Sequence, residues 1–565
     1  MYFHAAALDY DGTLAHQGLV EEATIAELER FVASGRRLIL VSGRELEDLE
    51  RVFSRLDLFD LAVLENGALL YDPRTREETA LCPAPGEAFV ELLRTKGVEP
   101  MSVGRGIVAA WEPHQTACLE AIKELGLELE IIFNKGAVMI LPTGVNKASG
   151  LAAALDRLKL SPLNIVSMGD AENDHAMLRY TGCGVAVANA LPSVKETADM
   201  TAKHAHGRGV EEVLSALQDA EERFLLSDRH AIPLGRDGDG LVVSLSPAGG
   251  PVLIGGSSGI GKSTLATALT EQFVEKEHQF VVIDPEGDYD GLEGAVVAGS
   301  AHEPPAVRSV MSLLDDPGTN VVVNIVGVDV KDRPAYVREL LPDLAKLRSR
   351  TGRPHWIIMD EAHHLLPSTS TKPEAMLERG VVLITVHPEA VAKSVNALVD
   401  TVVALGPEAR QVVAAVYDAR GADVPDLPIP DGDVVLVVRG PEPGRLLEPV
   451  RPAQKRKRHR RKYATGKLSE QSSFYFTGPE GALNLRAHNL DTFLQLLEGI
   501  DDRTWEYHLG RGDYSRWIKD GIKDESLSQE VAELEQRKNL DPAAGRELLG
   551  KAIRRRYTAP AEAAS

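Results

Sequence analysis

The chain has 565 residues, 44% of them apolar and 26% charged, with a formal net charge of −22. That length exceeds one hydrophobic core and predicts about three domains, while the absence of a run of about 18 apolar residues leaves no candidate membrane span. Three cysteines at unrelated spacings (Cys82, Cys118, Cys183) exclude a disulfide framework and fit a reducing compartment. The start, Met1–Leu14, reaches Asp9 and Asp11 without a basic segment or cleavage site. A secretory leader is therefore not expected, and the cytoplasm is the expected location. The acidic total argues against a chain that coats nucleic acid over its whole surface.

Short Val/Ile/Leu runs alternate with helix-length segments, at 37–42, 163–168, 252–255, 280–284, 321–326, 356–360 and 381–386. This pattern predicts parallel sheets covered on both faces. Phosphate-type loops follow strands near Asp9 and near Gly256, so two such sheets are expected. The fold class is accordingly α/β, with two doubly wound domains. A helical stretch over 210–226 closes the first unit, and a basic run breaks the pattern near 452–462. The expected domains are 1–226, 227–452 and 453–565.

In the first unit an apolar strand, Ala5–Leu8, runs into Asp9-Tyr10-Asp11-Gly12-Thr13. Two carboxylates at i and i+2 beyond a strand, with a glycine for the turn and a hydroxyl for a phosphate oxygen, suit a carboxylate nucleophile beside a proton donor. A plain turn with a helix cap is the simpler alternative. Three elements follow in order: Ser42-Gly43-Arg44 after a strand, Lys147 after Gly144-Val145-Asn146, and Gly169-Asp170-Ala171-Glu172-Asn173-Asp174 after another strand. Together they offer hydroxyl and lysine donors for phosphate oxygens and carboxylates for a hard cation.

These four motifs resemble the haloacid dehalogenase (HAD) superfamily, specifically its Cof-type (class IIB) phosphatases. Glu65-Asn66-Gly67-Ala68, Val187-Ala188-Asn189-Ala190 and Val194-Lys195-Glu196 strengthen the likeness, which covers about residues 1–222. The resemblance implies that Asp9 forms an aspartyl-phosphate and Asp11 acts as general acid and base. It implies that Ser42 and Lys147 hold the phosphoryl group, beside the Thr13 hydroxyl already read as a phosphate-oxygen ligand. It implies Mg²⁺ on Asp9, the Asp11 carbonyl and Asp170, with Asn173 and Asp174 supporting the metal; Gly12, Gly43, Arg44, Asn66 and Gly169 are further supporting residues of the site. It also implies a small α+β cap at about 85–139, shorter than a usual Cof-type cap and similar to those of archaeal phosphoglycolate phosphatases. Arg105 in the cap is a candidate for a second anionic group, or a solvated surface charge.

In the second unit, Gly256-Ser257-Ser258-Gly259-Ile260-Gly261-Lys262-Ser263-Thr264 lies between an apolar strand and a helix start. It matches G-x-x-x-x-G-K-[ST], in which backbone N–H groups cradle phosphates, the lysine reaches the β/γ oxygens and the serine binds Mg²⁺. The later strand Trp356–Met359 ends in Asp360-Glu361, a Mg²⁺-holding acid and a water-polarising one. With Ile283-Asp284-Pro285-Glu286-Gly287 and Asp360-Glu361-Ala362-His363-His364, the region 228–450 resembles HerA/FtsK-like ATPases. That implies ATP as ligand or substrate and a homo-oligomer. Thr385 or His387 is the sensor candidate, with a polar strand end that makes no contact as the alternative; no arginine finger stands out, and Arg348, Arg350, Arg353 and Arg379 are candidates for one or surface charges.

Residues 451–565 carry 22 Lys and Arg against 17 Asp and Glu, so this end is basic while the first 450 residues hold 40 against 67. Lys455–Lys462 has seven basic residues in eight, a nucleic-acid contact or a solvated linker. Nine of the 28 aromatic residues fall within 463–517, as base-stacking platforms or as the core of a small helical module. The leading functional expectation is a Mg²⁺-dependent phosphatase for a small phosphorylated metabolite (a sugar phosphate or a phosphoglycolate-like ester), fused to an ATPase. The alternatives are an ATP-driven nucleic-acid motor with an accessory phosphatase, and an ATPase that switches the phosphatase.

Overall fold

The computed structural model describes all residues except 135, 226–228, 301, 369–376, 426, 431, 433, 441, 454–472, 482, 523, 538–539 and 558–565. Lys455–Lys462 therefore lies outside the described residues, as does residue 226 at the expected first boundary.

The first unit is built from β1 (Ala5–Asp9), β2 (Arg37–Val41), β3 (Leu61–Leu64), β4 (Leu69–Asp72) and β5 (Glu77–Ala80). A four-stranded antiparallel insert follows: β6 (Ser102–Val103), β7 (Val108–Trp111), β8 (Leu129–Asn134) and β9 (Ala137–Pro142). The chain then returns as β10 (Ile165–Gly169), β11 (Cys183–Ala186) and β12 (Met200–Thr201). The main sheet has the order β12-β11-β10-β1-β2-β3-β4-β5, parallel from β12 to β3. Its central strands are buried on both faces, which explains their unbroken apolar runs. The insert continues to Pro142, beyond the expected limit at 139, because β9 pairs with β8 as far as that residue. The helix expected over 210–226 is His206–Asp219, and Ala220 leaves helical geometry to start a short turn.

The second unit contains β13 (Ile232–Asp237), β14 (Val242–Leu245), β15 (Val252–Gly255), β16 (Phe280–Asp284), β17 (Ala295–Ala298) and β18 (Asn320–Asn324). These are followed by β19 (Trp356–Met359), β20 (Val381–Thr385), β21 (Thr401–Leu405), β22 (Val435–Arg439) and β23 (Arg445–Pro449). The order is β14-β13-β23-β22-β21-β15-β20-β19-β16-β18-β17, parallel from β21 to β17 with an antiparallel flank. The C-terminal unit is a two-stranded ribbon, Phe474–Phe476 with Leu485–Ala487, packed under helices that begin at Leu490. Phe474, Phe476, Phe493, Trp505, Tyr514 and Trp517 fill its core. The aromatic density is thus largely a packing feature rather than a row of stacking platforms.

The first two units meet at the N-terminal ends of their strands. Asn164, just before β10, donates to the Tyr2 carbonyl (2.9 Å) and faces His355 Nε2 (3.0 Å), just before β19. The His230 ring lies between Tyr2 Oη (3.0 Å) and the Gly182 carbonyl (2.8 Å). Arg353 is fully buried and donates to Gln279 Oε1 and the Leu314, Asp315 and Lys159 carbonyls at 2.7–3.2 Å, the last belonging to the first unit. Gly352 takes φ 77°, and a Cβ there would meet Asn164 Nδ2 at 2.4 Å, so only glycine permits this approach. Burial lowers His230 to about 3 and His278 to about 4, and holds His355 well below its ordinary value. The junction histidines are therefore neutral near pH 7.

Two candidate phosphate sites

The first site is at the C-terminal end of β1. Gly12 takes φ 90°, which turns the chain so that the Leu14 N–H reaches back to the Asp9 and Tyr10 carbonyls. The turn leaves Asp9 buried and encloses the Thr13 hydroxyl without a partner. Lys147 opens the helix Lys147–Leu158, whose end is capped by Asn146. Its buried Nζ donates to Asp9 Oδ1 and Asp174 Oδ1, each at 2.6 Å. The other Asp174 oxygen accepts the N–H groups of Asp170 and Ala171 at 2.8 and 2.9 Å. Gly169 is required for this: a Cβ there would stand 2.5 Å from the Asp174 side chain.

Carboxylate oxygens of Asp9, Asp170 and Asp174 lie within 4.8 Å of one another. Burial, then the charge of Asp174, pushes the Asp9 carboxyl up to about 8. Burial opposes the Lys147 charge, but Asp174 and Asp9 outweigh it and raise its pKa. One ammonium against three buried carboxylates leaves surplus negative charge, and an all-oxygen donor set of this kind suits a hard divalent cation. Asn173 Nδ2 donates to Asn66 Oδ1 at 2.9 Å, leaving Asn66 Nδ2 and Asn173 Oδ1 enclosed and unpartnered at the same site.

Ser42 is fully buried, and its Oγ accepts the Arg44 N–H. The Arg44 guanidinium grips Asp11 through both carboxylate oxygens, at 2.7 and 2.8 Å, and reaches Asp48. Sequence reasoning gave Arg44 only a supporting place; here it orients the second carboxylate of the motif. A Cβ on Gly43 would meet Met139 Cε of the insert at 2.9 Å, so the insert packs directly on this loop. Arg105 is not poised for an anion, because its guanidinium is taken by Glu47 and Glu78.

Two contributors were missed. Asn189 Nδ2 donates to the Gly12 carbonyl at 2.8 Å and to Asp170 Oδ2 at 3.2 Å. The His206 ring is also 2.8 Å from the Gly12 carbonyl and stacks on His16 with centroids 4.3 Å apart. Asn189 stood inside a recognised motif, but its partner is 177 residues away; His206 carried no signal.

The second site is at the C-terminal end of β15. Gly256, Gly259 and Gly261 take φ values of 151°, 80° and 109°, and Lys262 opens the helix Lys262–Glu275. These glycines bring Ser257, Ser258, Ile260, Ser263 and Thr264 into one loop and first helical turn. Lys262 Nζ donates to the Gly256 and Ser257 carbonyls, both at 2.8 Å. Asp360 follows β19; burial, then Glu361, raises its pKa well above the ordinary value. Burial lifts Asp284, after the neighbouring β16, to about 6. Glu361 takes φ 46°, a strained conformation for a non-glycine residue that clusters at functional sites. His363 Nδ1 stands 3.4 Å from Glu361 and 3.0 Å from Thr385 Oγ1, and burial lowers it to about 4. Thr385 therefore touches the acidic pair through His363, whereas His387 is largely exposed and reaches Thr385 only through its backbone.

Of the arginine-finger candidates, Arg353 is corrected, because it is fully buried. Arg353 and Arg348 are engaged by carbonyls around the junction, and Arg379 pairs with Glu221 of the first unit. Arg350 pairs with Asp315 on the surface.

Residues 6–103 and 111–214 match the family described as haloacid dehalogenase-like hydrolase, and residues 251–339 match the central domain of helicase HerA. Phosphoglycolate phosphatase 2 of Saccharolobus solfataricus is 31% identical over 227 residues, 37% of this chain and 91% of that protein. A phosphoglycolate phosphatase of Methanosarcina acetivorans is 27% identical over 39% of this chain and 98% of its own. A haloacid dehalogenase-like hydrolase structure from Bacteroides thetaiotaomicron is similar at 20% identity, covering 38% of this chain and 99% of its own, with a TM-score of 0.34. Among the described residues no helix is long and apolar enough to cross a membrane. On the 31% relative and the matched motif region, the chain belongs to the haloacid dehalogenase-like hydrolases and carries a HerA-type domain behind its phosphatase domain.

Proposed function

We infer that the first domain is a Mg²⁺-dependent phosphatase of small organic phosphate monoesters, and that the second binds and hydrolyses ATP. The observation that carries the first reading is the buried Asp9–Lys147–Asp174 cluster closed by Asp170. An Asp9 carboxylate oxygen attacks phosphorus; the ester P–O bond breaks, and Asp11 gives its proton to the leaving alkoxide. Asp11 then takes a proton from water, whose oxygen attacks the aspartyl-phosphate and frees inorganic phosphate and the Asp9 carboxylate. Arg44 keeps Asp11 aimed, Asp174 holds Lys147 in place, and Thr13, Ser42 and Lys147 receive phosphoryl oxygens. Asp9, the Asp11 carbonyl and Asp170 would hold Mg²⁺, which supplies positive charge for the phosphoryl oxygens.

Phosphate release from a panel of phosphate esters tests this reading. Chelation abolishes release and added Mg²⁺ restores it; release that persists in excess chelator removes the metal from the assignment. In the second domain, Lys262→Ala abolishes ATP hydrolysis, and Glu361→Gln keeps nucleotide binding while lowering turnover about 10²-fold or more. Unchanged hydrolysis in Lys262→Ala would refute the nucleotide site.

A nucleic-acid motor is the second reading, favoured by the match to the central domain of a helicase. It requires ATP hydrolysis to rise with DNA or RNA at low salt and the rise to vanish as salt increases. No stimulation by either polymer removes it.

A further inference from the structure

The ring of His363 stands between two groups at the second site that lie on different strands. Thr385 is fully buried at the end of β20, and β20 runs between β15 and β19. Its register partner is Gly255, the last strand residue before the glycine loop. Glu361 lies just beyond β19, in the left-handed conformation at φ 46°. His363 Nδ1 is 3.0 Å from Thr385 Oγ1 and 3.4 Å from Glu361 Oε2. The first distance is a hydrogen bond, and the second is slightly too long for a good one. One ring nitrogen therefore joins a hydroxyl beside the glycine loop to the acid that follows Asp360.

Burial lowers the His363 pKa to about 4, so the ring is neutral near pH 7 and carries a single proton. Placed on Nε2, that proton would leave a bare Nδ1 lone pair against the Glu361 oxygen, so Nδ1 is the favoured position. Nδ1–H then donates to Thr385 and leans on Glu361 as a second, longer acceptor. Thr385 Oγ1 also accepts the His387 N–H at 3.0 Å. Both acceptor positions of the hydroxyl are then filled, and its own proton is what it has left to give. The acceptor this place offers is a terminal phosphate oxygen, because Thr385 adjoins the root of the glycine loop and the Lys262 charge acts on the His363 ring. The rings of His364 and His387 flank His363 with centroids 4.1 and 5.2 Å away, and its side chain is 10% exposed. The ring is thus walled into one orientation.

We propose that His363 is a positioning residue of ATP hydrolysis. It ties Glu361 to Thr385, so that a terminal phosphate engaging the Thr385 hydroxyl also fixes the carboxylate that polarises the attacking water. A nucleoside diphosphate leaves the Thr385 proton without that acceptor, and the series ends short. The inference rests on the ATP-hydrolysing reading of the second domain.

Steady-state ATP hydrolysis with saturating Mg²⁺ tests it, alongside the binding of a fluorescent ATP analogue. The native chain is compared with Lys262→Ala, His363→Ala, His363→Asn, His363→Gln, Thr385→Val and the double variant Thr385→Val with His363→Ala. His363→Ala lowers kcat about tenfold or more and leaves the Kd of the analogue within about twofold, because the ring touches the hydroxyl and the acid and not the glycine loop. His363→Asn regains most of the loss, since its amide nitrogen stands near the Nδ1 position. His363→Gln does not, since its amide nitrogen stands near the Nε2 position. The double variant loses little more than either single one, as groups acting in series do. Thermal unfolding identifies a variant that fails to fold; should that be His363→Ala, the contrast between Asn and Gln carries the test. Native turnover in His363→Ala, equal rates in Asn and Gln, losses that multiply in the double variant, or analogue binding lost in step with kcat each overturn the role. Where the native chain hydrolyses ATP and Lys262→Ala does not, such a failure falls on His363 alone. A native chain that binds the analogue and never hydrolyses ATP defeats the ATPase reading, and this inference with it.

Discussion

Asp9→Asn lowers phosphate release from the best ester by roughly 10⁴-fold or more, measured as inorganic phosphate against the native chain. The amide matches the carboxylate in shape, so packing around the strand end is retained. It cannot form the aspartyl-phosphate, and no described neighbour substitutes for it: Asp174 is tied to Lys147 and two backbone N–H groups, and Asp11 to Arg44. Loss of one carboxylate also relieves the burial of charge, and then the repulsion from Asp174, that raise the Asp9 pKa, so thermal stability holds or improves. ATP hydrolysis is untouched. Turnover unchanged by this substitution would end the assignment of Asp9 as nucleophile.

Arg353→Ala destabilises the chain by about 3–5 kcal/mol, read from the midpoint of urea unfolding at constant slope. The side chain is fully buried, and its loss orphans the Gln279 side-chain oxygen and the Leu314, Asp315 and Lys159 carbonyls. Burial lowers its pKa to about 10, still high enough to keep the guanidinium charged at neutral pH. Arg353→Lys recovers little, because an ammonium cannot serve four acceptors arranged for a planar fork. The same variant separates the unfolding of the first two units, which share Lys159 and Asn164 contacts. A midpoint within about 1 kcal/mol of the native chain would show that the junction does not need this residue.

Most of the chemistry was legible because it is local in sequence. Asp9-to-Thr13, the Gly256–Thr264 loop and Asp360-Glu361 each gather their groups within a few residues, at strand ends that apolar runs announce. Their partners were less legible. Arg44 on Asp11, Asn189 on Gly12 and His206 on Gly12 are contacts across 33, 177 and 194 residues, set by strand order rather than by spacing. Arg353 and Arg379 read as finger candidates or surface charges because a single sequence does not show exposure; the junction that buries the first and pairs the second is tertiary. The C-terminal aromatics were ambiguous for the same reason, and the hydrophobic core settled most of them. The antiparallel flank of the second sheet was also missed: β22 has the apolar run of a parallel strand, while β13, β14 and β23 are half-exposed and interrupted by polar residues.

The back-to-back junction has a consequence for traffic. Because the sheets abut at their strand starts, and both candidate phosphate sites lie at strand ends, the two sites stand at opposite poles. The path from Asp170 back along β10, across Asn164 and His355, and out along β19 to Asp360 is on the order of 40 Å. No small ester spans that length, so whatever leaves one pole mixes with bulk solvent before meeting the other. Within one chain the domains share no pool of intermediates, and a ligand captured at the nucleotide pole presents nothing to Asp9. Any dialogue between the two sites within one chain is therefore mechanical, carried through strands pinned at their starts.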